Sequence, residues 1–200
     1  MKKLTVIRLS LNLVGMMLFM FACAKQEDEA TTSSGSSQSY SVSGYVQKGP
    51  YVQGTEITVR ELDSSLTPTG RTFTGTIDDN TGSFSVKGEL AYSIVELSAD
   101  GYYFNEVSGS LSTAKLTLSA LSDLSDSTSV NVNLMTHLEK KRVEYLIGTG
   151  LSFSAAKSQA QGEILNMFNI DNVTLGNSET LDISKSGDGN ATLLAISAIL

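Results

Sequence analysis

Residues 44–62 read GYVQKGPYVQGTEITVREL, and residues 74–86 read TGTIDDNTGSFSV. In the first stretch, Ile57 and Val59 alternate with polar residues. Alternation with a period of two predicts a strand that is buried on one face only. Residues 78–82 (DDNTG) interrupt the second stretch with turn formers between two such runs. Together the stretches indicate antiparallel strands joined by short turns.

The same alternation extends outward from these stretches in both directions. It begins at Tyr40 and ends with Val130, Val132 and Leu134, and turn residues divide it into seven or eight strands. Strands with one polar face need a second layer to cover the other face. We therefore expect an antiparallel β-sandwich of Ig-like or transthyretin-like type over residues 40–134.

Two segments of this region resemble known bacterial proteins. Residues 44–99, with their Asp/Asn-Gly turn leading into a Phe strand, resemble the carboxypeptidase-regulatory-like family of sandwich modules. Residues 101–109 (GYYFNEVSG) resemble an extension of that sandwich in bacterial surface lipoproteins, where helices follow it. The resemblance implies a fold and a location, and it implies no activity.

The pattern changes from strand to helix near residue 135. Thr136 and Glu139 have the spacing of a capping box, which predicts the start of a first helix that ends near Gly148. A second helix is expected after a cap at Ser154, and a third from Ala191.

These helices make residues 135–200 a helical domain. The fold class is therefore α+β in two parts, a sandwich followed by helices. The apolar residues at the end of the chain suggest that this helical domain is truncated, and the alternative is a short final helix docked on the other helices.

The N-terminus has the pattern of a bacterial signal peptide. Residues 1–8 carry three cations and no acid, and residues 9–21 form an almost uninterrupted apolar run. Cys23 follows directly after Ala22, so the chain resembles a lipoprotein precursor in which residues 1–22 are removed and Cys23 is lipidated. Met20 and Phe21 depart from the usual residues of that motif.

Residues 23–39 carry no large apolar side chain, which predicts a flexible tether. The acidic run of Glu27, Asp28 and Glu29 resembles the surface-export signal of Bacteroidetes lipoproteins. The alternative is that the three acids only solvate the tether. If the acidic run is an export signal, we expect the protein on the outer face of the outer membrane.

Composition excludes several functional classes. The formal net charge of −7 and the pI of about 4.7 argue against nucleic-acid binding. One Cys and one His exclude a disulfide framework and a Cys/His zinc site built from this chain alone. Residues 78–82 are interpreted as a turn, since the bidentate Glu of a calcium loop is missing. We expect no metal and no cofactor.

Catalytic residues are not expected either. His137, interpreted as the first residue of a helix, has no evident nucleophile beside it. Tyr102 and Phe104 alternate on one face, which favours core packing over a sugar-stacking surface. Ser127 lies in an Asp-Ser-Thr tripeptide that resembles the O-glycosylation motif of Bacteroidetes.

One ion pair is expected between the first two helices. Helical spacing places Arg142 within the apolar stripe of the first helix and Glu163 within that of the second. A hairpin turn between the helices brings these positions to similar heights. We expect a structural pair that specifies the packing of the hairpin, with a large energetic effect only if the pair is buried.

These observations predict a lipid-anchored envelope protein with a non-catalytic binding or assembly role. Its partners are the membrane, through the N-terminal lipid, and an unidentified protein or glycan ligand. Two alternatives remain open. In the first, the chain would be the anchoring part of a larger enzyme or glycan-processing component. In the second, it would be a fimbrial or adhesin subunit that assembles by strand addition.

Overall fold

The computed structural model of the protein describes residues 37–171 and 175–200. Within these residues the chain forms strands first and helices afterwards. The strands are β1 (Gln38–Gln47), β2 (Glu56–Leu62), β3 (Pro68–Thr76), β4 (Ser83–Leu90), β5 (Ile94–Gly101), β6 (Phe104–Asn105), β7 (Ser110–Leu111), β8 (Leu116–Asp123) and β9 (Val132–Asn133). The helices are α1 (Leu134–Gly148), α2 (Phe153–Met167) and α3 (Asp188–Ile199), with a 3-10 turn at Ser178–Thr180. The predicted α+β fold class is confirmed.

The longer strands form two sheets. One has the order β4-β1-β9, and the other has the order β3-β2-β5-β8. Neighbouring strands are antiparallel except for β1 and β9, which are parallel. The short strands β6 and β7 form a separate antiparallel hairpin. The region is therefore a β-sandwich-like arrangement.

The two sheets bury their apolar faces against one another. Ile57 of β2 and Phe84 of β4 are almost fully buried in the same cluster. Close approach at the sandwich edge requires a glycine, because a Cβ added to Gly88 of β4 would lie 2.6 Å from the ring of Phe73 of β3. The alternating pattern of the sequence thus marks the buried faces correctly.

The helices share this core. Leu193 and Ile196 of α3 are fully buried in the same cluster as the sandwich residues. A second cluster joins Val143 of α1 and Ala160 of α2 to Leu121 of β8. Apolar packing therefore crosses the sequence position at which a sandwich domain and a helical domain were expected to meet.

The helix caps differ from the predicted ones. The end of α1 at Gly148 is confirmed, but its cap is Asn133, whose side chain accepts from the Thr136 backbone N–H at 3.0 Å, while the Thr136 hydroxyl accepts from the Asn133 N–H. The predicted capping box of Thr136 and Glu139 is therefore wrong, because Thr136 is already the third helical residue. The prediction that the last strand extends to Leu134 is wrong for the same reason.

The starts of the other two helices are also shifted. The cap of α2 is Ser152 and not Ser154, since the Ser152 hydroxyl accepts from the backbone N–H of Ala155 at 3.3 Å. Helix α3 begins at Asp188 and not at Ala191, after Gly187 with a φ of 115°. Glycine suits this positive φ, so the chain turns into the helix without a side-chain cap.

Several predictions concern the N-terminal segment. The signal peptide, the lipidation site Cys23 and the acidic run Glu27, Asp28 and Glu29 lie outside the described residues. At its other end the predicted tether is too long, since β1 already begins at Gln38. Among the helices of the described residues, none combines the length and the apolar character needed to cross a bilayer.

Candidate functional site

The structure pairs Arg142 with Glu163. Arg142 Nε lies 2.5 Å from Glu163 Oε2, and Arg142 Nη2 lies 2.8 Å from Glu163 Oε1. The two side chains keep 37% and 39% of their surface exposed, because the buried stripe of α1 runs through Glu139, Val143 and Leu146 instead. The pair therefore lies at the rim of the helical hairpin, where an ion pair stabilises little.

Two other predicted positions lie at the surface. Ser127 is exposed in the loop between β8 and β9, where its Oγ accepts from the Ser129 N–H at 3.1 Å. Residues 78–82 form a tight turn in which Asp79 accepts hydrogen bonds from the backbone and hydroxyl of Thr81. No group of three or more His, Cys, Asp or Glu among the described residues is arranged to hold a metal ion.

The expected core packing of Tyr102 and Phe104 is wrong. Their side chains are 41% and 45% exposed. Tyr103 instead packs against the core and stacks on buried Tyr51, with ring centroids 6.1 Å apart. The short strand β6 begins at Phe104 and pairs with β7 in a two-stranded hairpin that belongs to neither sheet of the sandwich.

His137 is the fourth residue of α1 and not its first. Its Nδ1 is buried and has no hydrogen-bond partner among the described residues. Burial lowers the pKa of His137, and the nearby charge of Lys140 lowers it further. Both effects favour the neutral form of the imidazole.

A polar cleft of about 410 Å³ opens between the first two helices, the 3-10 turn and the loop after β8. Four carboxyl groups and one ammonium group line it, together with hydroxyls, amides and one aromatic ring. The charged lining residues are Asp123, Asp126, Glu139, Lys157 and Glu179. Pockets of this size hold small ligands in many proteins.

Lys157 of α2 joins two carboxyl groups at the floor of this cleft. Its Nζ lies 2.9 Å from Glu139 Oε2 and 3.1 Å from Glu179 Oε1. All three side chains are buried, with 12%, 0% and 10% of their surfaces exposed. Glu139 also accepts a hydrogen bond from the Ser178 hydroxyl, which itself lies 2.8 Å from Gln161 Nε2.

One oxygen of this cluster has no partner. Glu179 Oε2 is buried and receives no hydrogen bond from residues 37–171 or 175–200. A carboxylate oxygen only accepts hydrogen bonds, and a buried polar atom without a partner costs free energy. Glu179 also lines the cleft, so the buried oxygen without a partner belongs to a residue of the cleft wall.

Two asparagines fix the backbone that carries Glu179. Asn133 Nδ2 donates to the Ser178 carbonyl at 2.7 Å, and Asn131 Nδ2 donates to the Leu181 carbonyl at 3.0 Å. The backbone N–H of Asn131 donates to the Glu179 carbonyl at 2.8 Å. Hydrogen bonds from β9 and from the residue just before it therefore fix the backbone on both sides of Glu179.

Burial controls the electrostatics of the cluster. It raises the pKa of Glu139, and the charge of Lys157 only partly opposes this rise. Burial alone would lower the pKa of Lys157, but Glu139 and Glu179 raise it above its ordinary value. Lys157 therefore remains an ammonium group at neutral pH.

The cluster contains a hydroxyl, an amine and carboxylates, which are the groups of many hydrolytic sites. Ser178 is only 1% exposed, however, and its Oγ is engaged by both Glu139 and Gln161. A nucleophile needs an oxygen lone pair that faces the substrate. The contacts of Ser178 are those of a group that shapes the cleft, and the arrangement suits binding.

Sequence reasoning missed this cleft. Glu139 was interpreted as a helix-capping residue, and Lys157, Ser178 and Glu179 were not singled out. One available signal was the position of Lys157, three residues before Ala160 and seven before Ile164, which places it beside the apolar stripe of α2. A cation in that place needs a buried partner, as the same argument for Arg142 recognised.

No family model matches this chain, and neither a curated protein nor a solved structure gives a significant match.

Proposed function

We propose that this chain is a lipid-anchored, non-catalytic binding protein of the bacterial outer membrane, displayed at the cell surface as in Bacteroidetes lipoproteins. Its ligand, carried by a protein or a glycan, enters the cleft between α1, α2 and the 3-10 turn. The single observation that carries the binding role is the buried, unpartnered Oε2 of Glu179 in the wall of that cleft. A rigid acceptor without an internal donor suits recognition of an external one.

The anchor is supported by the N-terminal sequence. An apolar run of 13 residues ends immediately before Ala22-Cys23, and acyl chains on that cysteine would hold the protein at a membrane. We expect Cys23→Ser to abolish lipid labelling and to leave either an unprocessed precursor or a soluble protein. A processed Cys23→Ser protein that still partitions into the detergent phase would refute the anchor.

Surface display is supported by the acidic run directly behind the anchor. Protease treatment of intact cells tests it with the wild type and with a variant that carries Ala at positions 27, 28 and 29. We expect protease to degrade the wild type and to spare the variant. Equal protection of both proteins would place the chain in the periplasm.

The binding role is tested by thermal unfolding of the full chain in mild detergent. The panel contains neutral sugars, amines, amino acids and short peptides. At least one compound should raise the melting temperature of the wild type, and Glu179→Gln should remove that rise. If no compound stabilises the wild type in a way that depends on Glu179, the cleft is not the binding site.

Strand addition is a second candidate because β3 is the outermost strand of its sheet. An open edge accepts a further strand from another chain. Pro68 and Arg71 lie in β3, however, and such residues discourage edge pairing. Native mass spectrometry of the full chain separates the two functions, since strand addition predicts concentration-dependent oligomers that Thr74→Pro removes.

A further inference from the structure

The free oxygen of Glu179 defines the kind of atom that binds beside it. Glu179 Oε1 is held by Lys157 at 3.1 Å, and Oε2 is buried without a donor from the described residues, in a residue that lines the cleft. Since a carboxylate oxygen is only an acceptor, the ligand atom must be a hydrogen-bond donor.

Charge favours a cationic donor over a neutral one. One ammonium group at the floor faces two carboxyl groups, so Lys157 cannot neutralise both when both are ionised. Asp123 and Asp126 add two acids to the same cleft. An uncompensated buried carboxylate is costly, and a cation compensates it where a hydroxyl does not.

An organic cation suits the cleft better than a metal ion. A calcium or magnesium ion takes several oxygen ligands, and no three acidic, His or Cys residues among those described are grouped to supply them. Phe153 and Leu175 give the cleft an apolar part. Methylene groups pack on such side chains, and an aromatic ring also attracts a nearby cation.

A primary ammonium group suits the cleft better than a guanidinium group. A guanidinium binds best to a carboxylate with both oxygens free, because it donates two parallel hydrogen bonds. Glu179 has one free oxygen, since Lys157 occupies the other. A single free acceptor matches the compact charge of an ammonium group.

We infer that the cleft binds a primary alkylammonium group, with its nitrogen at Glu179 Oε2 and its methylene chain against Phe153 and Leu175. This inference rests on the proposed binding role of the cleft. A lysine side chain of a partner protein and a free aliphatic diamine both carry this chemistry.

The test is isothermal titration of the full chain in mild detergent with four probes. These are pentylammonium, pentylguanidinium, cadaverine as a free diamine, and Nα-acetyl-lysine N-methylamide as a peptide lysine. We expect pentylammonium to bind at least threefold more tightly than pentylguanidinium, and to bind more weakly as salt is added. The better of the last two probes identifies the source of the ammonium group.

Three variants locate the binding. Glu179→Gln keeps the shape of the side chain and should weaken pentylammonium binding about tenfold, as expected for a lost charged hydrogen bond. Asp126 is exposed at the rim of the cleft, so we expect Asp126→Asn to fold like the wild type. This substitution should weaken pentylammonium binding about twofold. Glu89→Gln removes an exposed acid of β4 outside the cleft and serves as the matched control with unchanged affinity.

Two outcomes would overturn the inference. If pentylammonium fails to bind, or binds equally to the wild type, Glu179→Gln and Asp126→Asn, the cleft does not recognise an ammonium group. If a neutral sugar binds in a manner that depends on Glu179 while the amines do not, the inference fails and the proposed binding role survives. If neither a neutral sugar nor an amine binds in a manner that depends on Glu179, the inference and the proposed binding role both fail.

Discussion

Two buried carboxylates, one in the sandwich and one in the cleft, have opposite surroundings. Glu61 of β2 is 1% exposed, and each of its oxygens has a donor. Oε1 accepts from the Thr69 hydroxyl at 2.5 Å, and Oε2 accepts from the backbone N–H groups of Ala91 and Tyr92. Glu179 is 9% exposed, and its Oε2 has no donor among the described residues.

The difference separates a carboxylate whose hydrogen bonds are complete within the fold from one whose hydrogen bonds are not. Glu61 connects β2 to the turn between β4 and β5, so both of its carboxyl oxygens have hydrogen-bond partners within the fold. The cleft instead keeps two carboxyl groups around a single lysine, and one carboxyl oxygen has no donor among the described residues. Buried polar groups are normally paired, so this oxygen is the observation on which the proposed binding function rests.

The largest effect is expected from removal of the cation in the cleft. Lys157→Met leaves Glu139 and Glu179 buried without their shared partner, which should lower the free energy of unfolding by about 3 kcal/mol or more. Urea denaturation measures the change. Lys141→Met is the matched control, since the Lys141 side chain is 84% exposed, and it should leave the midpoint nearly unchanged.

A Lys157→Met protein as stable as the Lys141→Met control would contradict the ion cluster. It would mean that the two carboxyl groups take up protons at no cost when the lysine is absent. The comparison with Glu61 would then lose its electrostatic basis.

The next effect is expected from the structural carboxylate. Glu61→Gln keeps the size of the side chain but weakens hydrogen bonds to an ionised group, which should lower the free energy of unfolding by about 2 kcal/mol. Urea denaturation at pH 7 checks this value. Glu89→Gln, at an exposed position of β4, is the control and should change little. Equal midpoints for both variants would show that Glu61 does not hold the turn.

The pH dependence of these two buried sites should differ in sign. Burial alone raises the pKa of Glu61, but hydrogen bonds from Thr69, Tyr92 and Ala91 bring it below its ordinary value. Its stabilisation is therefore full above the unfolded pKa of about 4.3 and is lost as the pH falls through the lower folded value. The pKa of Glu139 is raised by burial, so its contribution is full below about pH 4.3 and is lost as the pH rises through the folded value.

Variants separate the two contributions. The stability difference between wild type and Glu61→Gln should grow from pH 4 to pH 6. The difference between wild type and Glu139→Gln should shrink over the same change. Denaturation at several pH values measures both differences. Parallel profiles for the two variants would show that the two sites do not differ in the predicted way.

The sandwich was predictable because its signal is local. Ile57, Val59 and Phe84 follow the alternation of half-buried strands, and all three are buried where that pattern places them. The cleft was not predictable in this way. Glu139 and Lys157 meet Glu179 only after the backbone of the 3-10 turn is tied to the sheet by asparagines distant in sequence. No spacing rule contains such contacts.

The ion pair between the helices shows how far a helical wheel can be trusted. The helical wheel correctly predicted that Arg142 contacts Glu163, because the positions of the two residues follow from helical spacing and from the hairpin turn. It placed them too deep, since the two side chains are 37% and 39% exposed and nearby Tyr145 is 61% exposed. Depth depends on what covers a face, and that information is absent from the spacing within one helix.

The smallest effect is therefore expected from this rim pair. Arg142→Met, Glu163→Gln and the double variant form a cycle measured by urea denaturation in low and high salt. The hydrogen bond from Arg142 lowers the pKa of Glu163, so the pair is ionised at neutral pH. Because water reaches both side chains, each substitution should cost far less than Lys157→Met, and salt should reduce the coupling further. A coupling as large as the effect of Lys157→Met, and insensitive to salt, would show that the rim pair specifies the hairpin after all.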